Sequence, residues 1–178
     1  MTGSDRSDQQ QKIVTPADWL AARKSLLEKE KAFTRDRDAL TAARRALPWE
    51  KVEKDYAFQT PDGRRGLKDV FDGRSQLIVV HFMMGPDWDE GCVSCSLMAD
   101  HYNPAVPHLN ARDVTLIAVS RAPLERIAGF KARMGWTFPW YSSEGSDFNF
   151  DFKVSFDQEE IDSGKVDYNY KRQSFSST

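Results

Sequence analysis

Cysteine is nearly absent from this chain of 178 residues: Cys92 and Cys95 are the only two. A fold stapled by disulfides needs several pairs, so that class is excluded. Long apolar runs are missing too. None approaches the ~20 residues of a bilayer-spanning helix, so no membrane span is expected. Neither sign of charge dominates. Lys and Arg total 25, Asp and Glu 27, and the net charge is −2. Such balance gives no electrostatic reason to expect nucleic acid or an anionic membrane as partner. Residues 1–12 are polar and Gln-rich and lack the apolar core of a signal peptide. Export is therefore not indicated, and a cytoplasmic location is expected. In that reducing compartment a C-x-x-C pair serves catalysis or metal binding rather than stapling. What is present is 40% hydrophobic and 12% aromatic content. That suffices for the core of one domain with an appendage.

Residues 1–14 are expected to form a disordered tail. An N-terminal helix is expected over 15–48. Thr15 suits its N-cap, Pro16 its first position, and Pro48 its stop. Trp19, Leu26, Phe33, Leu40 and Leu47 recur every seven residues and draw a narrow apolar stripe. Places three or four further on are Ala or charged, which argues against an extended coiled coil. The stripe is expected to pack on its own domain or to form a dimer.

A domain should follow over 49–157. Val52 to Phe58 reads as an edge strand, and Thr60-Pro61-Asp62-Gly63 as a turn. Gln76 to Phe82 is a continuous apolar run, expected to be a strand in the middle of a parallel sheet. Val114 to Val119 is a second buried strand. One helix is expected from the cysteines to about Tyr102. Another should run from Pro123 to Met134, closed by Gly135. The alternation of strand and helix predicts a parallel α/β unit. Phe148, Phe150, Phe152, Val154 and Phe156 alternate at period two, which predicts a strand or extended ribbon. Residues 158–178 read as a polar C-terminal tail.

The cysteine pair carries the chemistry. A thiol attacks a disulfide as its thiolate, and a helix N-terminus favours that anion. Cys92 is the expected nucleophile and Cys95 the resolving thiol. Asp87, Asp89 and Glu90 precede Cys92 and would oppose thiolate formation if turned toward it. Trp88, Arg121 and Pro139 are candidates for a substrate groove: Trp88 over the thiols, Arg121 beyond the second strand, Pro139 beside the redox pair. Zinc on Cys92, Cys95, His101 and His108 is an alternative, although the spacing does not match the usual finger. No cofactor is expected beyond the redox-active pair itself.

The run from His81 to Asp100, with its core Met84-Gly85-Pro86-Asp87-Trp88-Asp89-Glu90-Gly91-Cys92, resembles the signature of the DUF899 family. So do Asn110 to Thr115, Gly135 to Trp140 and Gly145 to Asn149. The resemblance spans about Thr15 to Tyr170. It implies a thioredoxin-like α/β fold, a partly parallel sheet flanked by helices, with Cys92 and Cys95 as the redox pair. Thioredoxin-like domains end in a strand hairpin and a helix, for which 157–178 shows no convincing pattern. Family members continue past the end of this chain, so a shortened C-terminal part is expected. A peroxiredoxin places Thr or Ser three residues before its attacking cysteine. Asp89 stands there, which disfavours peroxide reduction of that type.

The expected function is therefore thiol-disulfide exchange on a protein or small-thiol disulfide. A non-catalytic dimeric binding protein and a zinc-binding structural module are the alternatives. Homodimerisation through the N-terminal helix or an open sheet edge is the expected assembly.

Overall fold

A computed structural model of the chain describes residues 12–173. The chain divides into two units, Met1–Val52 and Glu53–Thr178. Residues 1–11 and 174–178, parts of the two expected tails, lie outside the described residues.

The first unit is helix α1, Pro16–Arg45. Thr15 caps it as expected: its hydroxyl accepts the Asp18 N–H at 3.2 Å, and its own O–H donates to the Asp18 carboxylate at 2.7 Å. No residue of α1 is buried. The five stripe residues are between 50% and 69% exposed. The stripe therefore exists, but nothing among the described residues buries it.

The second unit is built on a five-stranded sheet. Strands β1 (Ala57–Thr60) and β2 (Gly63–Gly66) form a hairpin. The Pro61-Asp62 loop closes it, and Gly63 takes φ +105°, a conformation that a side chain would strain. β3 (Gln76–His81), β4 (Val114–Ser120) and β5 (Trp140–Ser142) run parallel, and the order is β2-β1-β5-β4-β3. Helices α2 (Val93–Ala99) and α3 (Tyr102–Asn110) connect β3 to β4, and α4 (Leu124–Met134) connects β4 to β5. Gly135 ends α4 at φ +69°. This is the α/β, partly parallel, helix-flanked architecture that the sequence pointed to.

Two cores hold the sheet. On one face Phe82, Leu116, Ala118, Ile127, Phe130, Trp136, Phe138 and Trp140 pack together. Most of their rings meet edge-on or tilted, with Phe82 and Trp140 centroids 4.3 Å apart, and Phe138 stacks on Trp140. On the other face Tyr56, Phe58, Val70, Ile117, Val119 and Phe148 pack together. Full burial of each such side chain stabilises by roughly 1.5–3 kcal/mol.

Four expectations need correction. β3 is an edge strand, bonded to β4 alone among the described residues; the middle position belongs to β4. No residue of β3 is fully buried and Ile78 is 41% exposed, so the apolar run marks neither two covered faces nor two paired edges. Second, β1 begins at Ala57, five residues later than the expected edge strand, and Thr60 extends it into the hairpin. Third, the alternating phenylalanines form no strand. Phe148–Asp151 is a helical turn, α5. Phe148 and Phe152, four residues apart, meet at 4.7 Å, so the helical period wins over period two. Fourth, the C-terminal stretch is structured. α6 (Gln158–Asp162) starts with a capping box between Asp157 and Glu160. Strands β6 (Val166–Tyr168) and β7 (Lys171–Gln173) then pair as a separate hairpin. Asn169 and Tyr170, both at positive φ, form its two-residue turn.

Candidate functional site

Cys92 is the N-cap of α2, immediately after the loop that leaves β3. That loop is held at three places. The Cys92 N–H donates to the Met83 carbonyl at 3.0 Å. Glu90 pairs with Arg133 at 2.7 Å, and Asp89 with Arg126 at 3.3 Å. Both arginines lie on one face of α4, seven residues apart. Asp89 and Glu90 are thus turned toward α4. They dock the loop there, and neither is a cause of the shift in the Cys92 thiol. Gly91 is the third point. A Cβ built there would come within 2.5 Å of the Phe82 ring and 3.1 Å of the Phe130 ring. Only glycine lets the chain pass that close over the aromatic core before turning into the helix.

Both cysteines are free thiols and half-buried. Their environments differ in sign. The Cys92 Sγ lies 3.3 Å from the Ser94 hydroxyl. That hydrogen bond, then the Cys95 N–H, lower the Cys92 pKa to about 7. Both bonds favour the anion. Burial pushes the Cys95 thiol up, and the neighbouring Cys92 thiol adds to the rise. Cys95 packs against the aromatic core. Cys92 is therefore the more acidic thiol of the pair and Cys95 the less acidic. Ser94 went unremarked in the sequence, although a hydroxyl between the two cysteines was visible there.

Met83, Trp88, Val93, Leu97 and Met98 flank the pair in sequence and are between 44% and 86% exposed.

Trp88 and Arg121 do come together. Both line a cavity of about 570 Å³ beyond the end of β3, with His81 and Asn149. Arg121 stacks on the Phe150 ring, 4.5 Å from its centroid. His81 stacks on Phe148 at 5.3 Å, and burial lowers its pKa. Pro139 immediately precedes β5, and its carbonyl accepts the Ala118 N–H at 2.8 Å. It is not among the described residues that line the cavity. No peptide bond among the described residues is cis. His101 caps α3 and His108 lies in its last turn. No group of three or more His, Cys, Asp or Glu among the described residues is placed to hold a metal ion.

A buried polar layer underlies the strand ends, formed by serines with no distinctive spacing in the chain. Ser120 donates to the Phe82 carbonyl at 2.6 Å and accepts from the Trp140 indole at 3.0 Å. Ser142 donates to the Ala122 carbonyl at 2.7 Å. The Ser143 hydroxyl donates to the Asn149 carboxamide oxygen at 2.7 Å. These bonds satisfy buried hydroxyls and tie β3, β4 and β5 together just below the cysteine loop.

A family model described as "Bacterial protein of unknown function (DUF899)" matches residues 8–178. The chain belongs to the DUF899 family. No curated protein matches it. Among solved structures, one similar chain is a yeast mitochondrial 1-Cys peroxiredoxin, with 15% identity and a TM-score of 0.43. The match covers 74% of this chain and 56% of that one. Another is the bacterioferritin comigratory protein of Xanthomonas campestris, with 14% identity and a TM-score of 0.39. There the match covers 65% of each chain. This DUF899 chain thus spans less than two thirds of the length of either. No helix among the described residues is long and apolar enough to cross a membrane.

Proposed function

We propose that this DUF899 protein is a thiol-disulfide oxidoreductase acting through Cys92 and Cys95. The observation that carries the reading is the opposed pair of thiols: Cys92 lowered to about 7, Cys95 raised by burial. The Cys92 thiolate attacks one sulfur of a substrate disulfide. The substrate S–S bond breaks, and its leaving sulfur departs as a thiolate that takes a proton from water. A mixed disulfide joins Cys92 to the other substrate sulfur. Cys95 then loses its proton and attacks the Cys92 Sγ, which releases the second substrate thiol. The substrate disulfide gains two electrons, and the Cys92–Cys95 pair becomes a disulfide. A dithiol reductant must return it to the thiol state. The exposed Met83, Trp88, Val93, Leu97 and Met98 favour a polypeptide disulfide over a small polar one.

The test is dithiothreitol-driven reduction of insulin disulfides. Wild type should accelerate it, Cys92→Ser should abolish the acceleration, and Cys95→Ser should trap the mixed disulfide. No acceleration by the wild type, together with no Cys92–Cys95 disulfide after mild oxidation, refutes the reading.

A second reading, a dimeric binding protein, draws on the uncovered stripe of α1. It predicts a dimer in sedimentation that Leu26→Glu with Phe33→Glu converts to monomer, and that Cys92→Ser leaves intact.

A further inference from the structure

The cavity beyond β3 is not used by the cysteine chemistry. Neither cysteine lines it, although Met83, Met84, Gly85, Pro86 and Trp88 form a wall that it shares with the cysteine loop. Its volume of about 570 Å³ falls within the ~300–1,000 Å³ of small-molecule sites. The wall is largely apolar, with Phe82, Met83, Met84, Trp88, Val154 and Phe156.

Polar groups interrupt that wall: Arg121, Asn149, His81 and the hydroxyls of Ser155 and Tyr168. Among the described residues that line it, Arg121 carries the one formal charge. Its guanidinium lies over Phe150, 4.5 Å from the ring centroid, and makes no ion pair among the described residues. A half-buried cation without a counter-charge is costly to keep, and an anion relieves the cost. Asn149 is buried, and its carboxamide oxygen is already taken by Ser143. That leaves the two Nδ2 protons as donors. His81 makes no hydrogen bond among the described residues, and its Nδ1 is buried without a partner. Burial keeps the ring neutral, so it adds no second cation. No carboxylate is among the described residues that line the cavity, so its one fixed charge favours an anionic ligand over a cationic one. One positive charge matches one negative charge. The Trp88, Met84 and Phe156 side chains offer flat and polarisable surface to a ring.

We propose that this cavity binds an aromatic monoanion, with its carboxylate or sulfonate on Arg121 and Asn149 and its ring between Trp88 and Phe156. The site shares Met83 and Trp88 with the surface beside the cysteines, but its ligand needs no thiol chemistry.

The test uses 8-anilinonaphthalene-1-sulfonate and N-phenyl-1-naphthylamine, which share a ring system and differ by the sulfonate. Fluorescence titration should show one sulfonated dye per chain. Arg121→Met should weaken that dye by about tenfold or more, the loss of a charged hydrogen bond, and leave the neutral one within about twofold. Val154→Trp, which fills the cavity, should weaken both. Cys92→Ser should bind both as wild type does, which separates this site from the thiol chemistry. In the unmodified protein, 2-naphthoate should displace the sulfonated dye and naphthalen-2-ylmethanol should not. The proposal is overturned if Arg121→Met weakens both dyes equally or neither, if Val154→Trp leaves them bound, or if the naphthyl acid and alcohol compete equally.

Discussion

Replacing Ser94 with alanine tests the physical basis of the cysteine site most directly. The Ser94 hydroxyl, 3.3 Å from the Cys92 sulfur, is the largest cause holding that thiol at about 7. At pH 7 a thiol of that pKa is half ionised, against about 3% for a free cysteine near ~8.5, a gain of roughly sixteenfold. Each unit of lowered pKa also costs nucleophilicity, with a Brønsted slope of ~0.4–0.5, which returns a factor of about four to six. The net advantage in attack on a disulfide at pH 7 is therefore about three- to fourfold. The signature is larger in the shape of the pH profile than in the rate itself. The rate of reaction with 5,5′-dithiobis(2-nitrobenzoate), measured on Cys95→Ser protein from pH 5 to 10, should rise to a plateau with a midpoint near 7. Cys95→Ser removes the second thiol and leaves the Ser94 hydroxyl and the N–H of residue 95 in place. Adding Ser94→Ala should move the midpoint upward and raise the plateau rate, because a more basic thiolate is more nucleophilic. An ordinary midpoint in the Cys95→Ser protein, or one that Ser94→Ala does not move, would refute the reasoning.

Three further outcomes follow from the packing. Gly91→Ala should cost about 1–3 kcal/mol in urea unfolding, because its Cβ must displace the Phe82 ring at 2.5 Å; no loss would mean that the loop can lift freely from the core. Phe148→Ala should cost about 3–5 kcal/mol, since that buried ring meets Tyr56, Phe58, His81 and Phe152 within 5.3 Å; a cost under about 1 kcal/mol would contradict the second core. His81 has its pKa lowered by burial, so between that value and the unfolded ~6.5 the unfolded chain binds the extra proton. Its contribution is present above ~6.5 and is lost as pH falls, so His81→Phe should flatten the acid limb of thermal stability; an unchanged limb refutes it.

Much of this was legible in the sequence because it is local. Thr15, Pro16 and Pro48 bracket α1, and Gly135 ends α4, through backbone constraints that act within a few residues. The C-x-x-C spacing alone put Cys95 one helical turn after Cys92. Other features were hidden because their cause is distant in the chain. The carboxylates of Asp89 and Glu90 looked like a threat to the thiolate, and α4, some forty residues on, turns them away. The phenylalanines after Gly145 carried two periods at once. Only the pocket between Tyr56 and His81 chose the helical one, by seating Phe148 and Phe152 together.

By itself, then, the sequence determined an α/β chain with a long capped helix and one redox-capable pair after a strand. The tertiary structure decided which thiol is acidic, through Ser94 on one side and burial of the other. It also decided that β3 lies at the edge of the sheet and that Trp88 and Arg121 share one cavity. The division has a physical reason. Dihedral limits and turn spacing are written in neighbouring residues, whereas burial, charge pairing and shared walls arise only where segments far apart in the chain are packed together.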